Sequence, residues 1–580
     1  MGNQQQIKKL NIQLFNLPAT SSKKLNQGIC LSAVIATIFY SPLVSAQSII
    51  SEPNTTGTIV NQQGNLINIS GGTQAGGNLF HSFTQLGLQP QEIANFLSQP
   101  GINNILGRVT GGDISVIEGL IRVSGSNANL FLMNPAGIIF GTNARLDVPG
   151  NFTATTANGI GFADGWFQAF GDNEYENLTG SPNSFTFNND KPEAIINKGN
   201  LNAANLNLIG GTVVNQGNLS APGNITIAAV PGGKTVRLSQ EGMILGLELP
   251  AEEVAKGINP LDLPALLTAP VEGIGEVNPG DTIIMGSVVA NTVNLGAASR
   301  VKLGSNGEII TGNSQFSAPT VTIFPESETD PLAYIFLDVT VPDYETFLYS
   351  GKPGTTTVVV TPEESGIGVI SDRLAVVSEA GQKVDEVHIV SEGNQSNFWL
   401  GKDFVSSENI EQYQTQFASW DKALGVGADI LIYACLAALG DTGETLLNKV
   451  AAYTGADVAG STNLTGAESL GADWLLEMSV GDVEATTPWL MEAVDNYNDT
   501  LQIFTVANNN DNGAGSLREA IASANGNTEA DEIRFNPSFF NGSQDVILLT
   551  SGELEITAAE DLKIDGAFGG VVNGLLLKKK

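Results

Sequence analysis

Two side chains in this sequence stand where a thiol-dependent hydrolase would keep its chemistry. Cys435 closes the run ADILIYAC (428–435), and Glu392 follows the run VDEVHIVS (384–391). A thiol attacks as its thiolate, which a neighbouring imidazole stabilises before protonating the leaving amine. A carboxylate beside a thiol works in the opposite sense, because like charges disfavour ionisation and raise the thiol pKa. The chain holds two histidines, His81 and His388. His388 lies four residues before Glu392, about 13 Å back along an extended strand, on the strand body rather than at its end. No imidazole is thus expected at the strand ends where Cys435 and Glu392 fall, and an inactive site is expected. Glu392 could instead join Asp338 or Asp441 in an oxygen site for calcium. No Asp-x-Asp-x-Asp run accompanies them, so no cofactor is called for. Glu392 is expected to be a solvated loop residue and Cys435 a partly buried thiol at a strand tip.

The elements that would position these residues lie between 332 and 485. Ala333–Val341, Thr355–Val360, Val384–Ser391 and Ala428–Ala434 read as short apolar strands. Ile367, Ile370, Leu374 and Val377 mark one helical face. Ile410, Tyr413, Phe417, Trp420 and Leu424 mark a second, and a third helix follows Gly443 through Leu447 and Val450. Strands alternating with amphipathic helices imply a parallel sheet covered on both faces, a three-layer α/β domain. Chemistry in such sheets sits past the carboxyl ends of the strands, where Glu392 and Cys435 fall.

The surroundings are those of an exported protein. The net charge is −34 over 580 residues, which repels nucleic acid and anionic lipid. Only 15% of residues are charged and Gly is abundant at 66, a composition of stacked β turns rather than of a disordered tail. Lys23 and Lys24 precede an apolar run from Ile29 to Tyr40, then Pro42 and Val44-Ser45-Ala46. This pattern predicts a cleaved signal peptide over 1–46, with the mature chain starting at Gln47 after Ala46. Of the two cysteines, Cys30 falls in that leader, so Cys435 would be the single mature thiol.

Residues 47 to about 325 repeat. INKGNLNAANLNLIGGTV from Ile196 and VNQGNLSAPGNITIAAV from Val214 share one pattern, with echoes from Val60 and Ala290. Short alternating strands with Asn and Gly corners at this period predict coils of a parallel β-helix. Asn and Gly tolerate left-handed corners, and alternate Leu, Ile and Val would stack inward. His81 has no nearby histidine or cysteine and is expected to be packed. The stretch 245–270 has helix-like spacing and prolines, and predicts an excursion packed on the flank of the coil.

NLFHSFTQLGL (78–88) and NANLFLMNPAGIIFGTNARL (127–146) resemble the secretion domain of filamentous haemagglutinin-type adhesins. The family's asparagine-proline-asparagine-glycine motif matches at Asn134, Pro135, Ala136 and Gly137, with Ala136 in place of asparagine. A type I turn favours Asn, Pro and Gly at its first, second and fourth places and is tolerant at its third. The resemblance implies a right-handed β-helix recognised by an outer-membrane barrel transporter with periplasmic recognition domains. The stretches VHIVSEG, GADILIYACLAALGDTGETLL and TGADVAGSTNLTGA resemble a domain of unknown function of large bacterial adhesins that is similar to caspase-type cysteine peptidases. The resemblance implies a Cys–His dyad, with histidine where Glu392 stands, glycine where Ala434 stands and asparagine where Leu436 stands.

From about 500, FTVANNNDNGAGSLREAI and the following strand resemble the opening of another right-handed β-helix. A short capping helix is expected at Gly515–Ile521, with strands at Glu532–Phe535, Val546–Leu549 and Leu554–Ile556. The fold class that follows is mainly β with an α/β domain. Its parts are a signal peptide (1–46), a secretion-type right-handed parallel β-helix (47–325), a caspase-like α/β domain (332–485) and the start of a second β-helix (500–580). The function expected is that of a secreted or surface-exposed adhesin-like protein exported by two-partner secretion. Its partners would be the transporter and a host or neighbour cell surface or matrix, with no nucleic acid. The alternatives are a secreted cysteine peptidase that processes itself or a neighbour, a structural matrix protein, and a polysaccharide-degrading β-helix, which would need clustered carboxylates where the quoted rung stretches hold almost none.

Overall fold

The computed structural model describes residues 48–239, 244–248, 277–312, 316–513, 515–526, 531–535, 540, 546–557 and 562–565. The leader, the cleavage point at Ala46 and Gln47, residues 249–270 of the excursion and the terminal lysines lie outside the described residues. The repeats wind into parallel coils with three strand stacks. One runs through Asn78–Leu86, Asn104–Val109, Asn129–Met133, Phe152–Thr155 and Leu206–Gly210. A second runs through Leu66–Gly71, Ile93–Leu97, Leu120–Ser124 and Arg145–Asp147 to Asn200–Asn202. The third joins Ser115–Ile117, Ile138–Phe140, Ala194–Asn197, Thr212–Asn215, Thr282–Ile284 and Val301–Leu303. The long strands Asn218–Ala229 and Ser287–Ala297 bend to serve the first two stacks at once.

The repeat offset read from sequence is the observed register: Ile196 lies over Val214 and Leu201 over Leu219. Inside the second stack, Ile67, Ala94, Ile121, Leu146, Leu201, Leu219, Val288 and Ile309 form one buried column. Each member removes apolar surface from water only when the next coil is present, so stability accrues coil by coil.

The asparagines serve a different purpose from the one expected. Among the described residues Asn54 is the sole asparagine with positive φ. Those of the rungs form ladders instead. Asn104 Nδ2 donates to Asn78 Oδ1 at 2.8 Å, Asn129 Nδ2 to Asn104 Oδ1 at 2.9 Å, and Asn205 Nδ2 to Asn151 Oδ1 at 2.8 Å. Asn197 likewise donates to Asn215 at 2.8 Å. An amide carries a donor and an acceptor, so it can bond to the coil above and the coil below. The corner glycines do both jobs: Gly101, Gly125 and Gly280 take positive φ, as expected, whereas a Cβ on Gly217 would lie 2.1 Å from Gly199 O and one on Gly286 2.0 Å from Gly217 O.

Two features were not anticipated. Ile49–Ser51 pairs antiparallel with Asn78–Leu86, and the hairpin Thr58–Gln63/Leu66–Gly71 closes the first coil. An antiparallel sheet, ordered Gly165–Gln168, Gly159–Phe162, Ser184–Phe187, Lys234–Leu238 and Ile244–Glu248, covers the outside of the first stack. A second core of Phe80, Leu106, Phe131, Ile160, Phe167, Phe185 and Val236 lies between them. Residues 245–248 are thus strand, not helix; the Leu-Gly-Leu alternation fits a period of two and completes a sheet edge. Arg108 ties these layers together, bonding Ser82 Oγ, Gln168 O and Gly171 O and pairing with Glu52 at 3.3 Å. His81 is packed, as expected, with Nδ1 3.2 Å from Thr58 Oγ1.

The α/β region forms a sheet in the order Thr355–Val360, Ala333–Asp338, Val384–Val390, Leu424–Tyr433, Asp457–Gly460 and Met478–Val480, with the last antiparallel. Helices Gly366–Glu379, Gln414–Trp420 and Gly440–Thr454 pack on one face through Ile367, Ile370, Leu374, Phe417, Trp420, Leu447 and Val450. The short helix Tyr344–Leu348 lies on the other face, with Trp489, Tyr497 and Leu501. The two-sided cover expected from the alternation is present but uneven. The strand order reverses beside Ala333–Asp338, so a right-handed crossover sends the helix before Thr355–Val360 to the opposite side from the rest. The sheet is also joined to the β-helix: Thr320–Ile323, the last strand of the first stack, pairs antiparallel with Thr355–Val360.

The tail builds a small parallel sheet from Phe504–Val506, Asp531–Phe535 and Leu562–Asp565. Its helix is Leu517–Ala524, capped by Ser516, whose Oγ accepts from Glu519 N at 3.2 Å. Residues 546–549 and 554–556 are not strands. The backbone between those two stretches is held by side chains: Asp511 accepts from Thr550 N and Ser551 N, and Arg518 donates to Gly552 O and Glu553 O.

Candidate functional site

The secretion motif is a tight turn between two stacks of the β-helix. Gly137 N donates to Asn134 O at 3.0 Å, closing the four-residue turn, and Asn134 Oδ1 accepts from Ala136 N at 2.9 Å. Asn134 Nδ2 reaches back to Asp113 O and Ser115 Oγ, both at 2.9 Å, on the preceding coil. Gly137 has φ 108, which an L side chain rarely adopts. Asn134 thus fixes the turn and its neighbour together, Pro135 presets the second place, and Ala136 needs only its N–H. This accounts for the tolerance of alanine there.

The second place is at the carboxyl ends of the α/β sheet. Val390 pairs with Tyr433, so Glu392 and Cys435 each lie two residues beyond that pair, at adjacent strand ends. The structure therefore brings together the two positions singled out from sequence. It also corrects their surroundings. Cys435 is fully buried, not partly: its Sγ accepts from Thr465 N at 3.2 Å and donates to Thr465 O at 3.5 Å. Glu392 is 5% exposed, not solvated, because Leu501 and Ile503 bond across its loop through Gly393. Glu392 Oε2 lies 2.6 Å from Arg534 Nη2 on the tail. Burial, reinforced by Glu532 and Asp338 and opposed by Arg534, pushes the Glu392 carboxyl up to about 8.

His388 stays on the strand body, where Nε2 lies 3.0 Å from Glu386 Oε2 and the ring stacks on Tyr433. Burial lowers its pKa, against the pull of Glu386. Asp338, at the end of the neighbouring strand, accepts from Thr340 N at 2.9 Å and from Gly401 N at 2.6 Å. Its bonds are to backbone and hydroxyl, and burial holds its carboxyl above the usual range. Asp441 is exposed in the first turn of Gly440–Thr454. Among the described residues no three potential ligands gather into a metal group. Around Cys435 lie Tyr497, Trp474 and Trp489, in ring contact with Phe347. Tyr497 Oη, Thr465 Oγ1 and Ser391 Oγ are buried without a hydrogen-bond partner among the described residues.

Sequence reasoning missed Arg534 and the aromatic wall. The signal for Arg534 was a slight one: Glu532 and Arg534 alternate within a strand, so they share a face.

Residues 47–278 match the family model described as the TPS secretion domain, and residues 334–501 match a domain of unknown function (DUF4347). Among solved structures, the chain is similar to the HMW1 secretion domain from Haemophilus influenzae, at 14% identity over 89% of this chain and 100% of that one, with TM-score 0.29. It is also similar to the filamentous hemagglutinin secretion domain, at 15% identity over 48% of this chain and 99% of that one, with TM-score 0.29. No curated protein matches the chain. Among the described residues no helix is long and apolar enough to cross a membrane. The family match alone identifies residues 47–278 as a TPS secretion domain, which implies a secreted exoprotein exported across the outer membrane with a partner transporter.

Proposed function

We propose that this chain is an adhesin-like two-partner secretion exoprotein whose α/β domain keeps a caspase-type arrangement without its catalysis. The observation that carries the export half is the continuous apolar column from Ile67 to Ile309, spanning the matched secretion domain and the coils after it. Such a stack folds by adding coils, so folding outside the pore favours onward movement of the chain. The transporter's periplasmic domains would dock by strand addition. Thr58–Gln63 suits this, being paired on one side by Leu66–Gly71 and carrying the exposed Ile59.

The loss of catalysis is supported by chemistry. The strand end beside Cys435 carries Glu392, a carboxylate instead of an imidazole, and the thiol itself is fully buried and bonded to Thr465. Buried polar atoms without partners, such as Tyr497 Oη and Thr465 Oγ1, are what a former reaction site would leave behind. The adhesin role rests on the resemblance to large adhesins and on the modular string of β-helices. Production in a two-membrane host with and without the partner barrel tests the reading. Protein is expected in the medium only with the barrel; equal release in its absence overturns it.

A further inference from the structure

In an open α/β sheet the binding crevice lies outside the carboxyl ends of the strands, where the strand order reverses. Here that place lies between Ala333–Asp338 and Val384–Val390, and its walls are acidic: Asp338 ends the first strand and Glu392 follows the second. The crevice is already filled. Arg534, from the second strand of the tail sheet, enters with its side chain 1% exposed and sets Nη2 2.6 Å from Glu392 Oε2. Its Nε lies 3.0 Å from Glu532 Oε1, and Glu532 is held in turn by Lys563 at 3.0 Å. The guanidinium carbon stands 6.0 Å from the centre of the Trp399 ring, within cation–π range. The same tryptophan donates from Nε1 to Thr505 Oγ1 at 3.1 Å, and Thr505 is the register partner of Arg534.

We propose that this crevice is a socket for an arginine of the following β-helix, so that the α/β domain acts as a seat fixing where the second coil starts. Four observations agree on the occupant. Arg534 comes from the same chain, directly after the domain. The outward face of the tail sheet, Thr505 and Arg534, meets Trp399 and Glu392. The backbone joins the same loop, with Gly393 N donating to Leu501 O at 2.9 Å and Ile503 N to Gly393 O at 3.1 Å. The planar guanidinium suits the arrangement, since it can serve two carboxylates while stacking on a ring, which a lysine ammonium cannot. Glu392 thereby supplies the acceptor oxygen that this joint needs, 2.6 Å from Arg534 Nη2. The inference stands on the geometry of the joint and does not require a catalytic ancestor.

The test is a double-mutant cycle in the full chain, with Glu392→Ala, Arg534→Ala and the pair. Amide exchange is followed in Phe504–Val506 and Asp531–Phe535, with Ala333–Asp338 as internal reference. Each single change should raise opening of the tail strands by on the order of 30- to 100-fold, because either one leaves a buried polar group without the partner it has across the joint. The double change should add little to either single, and Ala333–Asp338 should keep its protection. Arg534→Lys, which keeps the charge without the fork, should fall between wild type and Arg534→Ala. Unchanged tail exchange in Glu392→Ala, additive single effects, or equal loss of protection in Ala333–Asp338 would each overturn the proposal.

Discussion

Glu392 carries a cost that its neighbours only partly offset. A carboxylate loses hydration on burial, and three acidic groups, Glu392, Asp338 and Glu532, share one guanidinium in this interior. The native carboxyl therefore holds its proton to about pH 8, whereas the unfolded one releases it near 4.5. Between those values the folded state binds a proton that the unfolded chain has lost. Stability from this group is thus greatest below about pH 4.5 and falls as pH rises toward about 8. His81 acts in the other window: burial lowers it to about 4, so its contribution is present above 6.5 and lost as pH falls toward 4. Glu392→Gln keeps the shape and abolishes the titration. Its urea midpoint is expected to decline less than that of wild type between about pH 5 and about pH 8. Parallel curves for the two proteins would refute the assignment. The position of Glu392 was legible in the sequence, because a strand followed by a turn locates a sheet's carboxyl end. Its burial was not, because the group that covers it lies 142 residues further on, at Arg534, and spacing carries no information about such a contact.

At the scale of elements, periodicity decided what could be read. The offset between Ile196 and Val214 is the coil length, since identical side chains must stack for the column to close. The helix over 366–379 was equally plain, as Ile367, Ile370, Leu374 and Val377 all turn to the sheet. The flanking sheet escaped notice because its strands are scattered over nearly ninety residues, from Gly159 to Glu248, and pair antiparallel outside the coil, with no repeat to betray them. The asparagine ladders were visible as residues but misassigned as corner formers, because their role appears only between coils. A consequence follows for the column. Leu201 and Leu219 are each 1% exposed and stacked directly. Leu201→Asp or Leu219→Asp buries a charge with no cation near it, at a cost of about 3–5 kcal/mol or more. If coil-by-coil folding drives export, either change should lower the amount released through the partner barrel, measured against intracellular protein. Export at the wild-type level from a demonstrably destabilised variant would separate folding from transport.

Across the whole molecule, the hydrophobic interior does not respect the module boundaries. One continuous cluster runs from Ile49 in the first coil through Val321 and Ile323 to Tyr433, Cys435, Trp489 and Leu501 in the α/β domain. The strand Thr320–Ile323 is at once the last rung of the coil and an edge partner of the α/β sheet. The tail differs: Phe504, Val506, Leu517, Ile533 and Phe535 form their own cluster, joined to the rest chiefly by the Arg534 joint and the Gly393 bridge. Cooperative units follow shared apolar contacts, so the coil and the α/β domain should melt together and the tail separately and earlier. Cys435 can report this, because it lies in the shared cluster and the other cysteine, Cys30, falls in the segment expected to be cleaved and is replaced by serine in the protein used. Labelling Cys435 with a thiol reagent across a urea series is expected to follow the loss of β-helix circular dichroism. Exchange of Phe504–Val506 should open at lower urea than either. A thiol that reacts under native conditions, or in step with the tail, would show that the cover over the thiol opens on its own, and the α/β domain would then be a separate unit with an accessible cysteine.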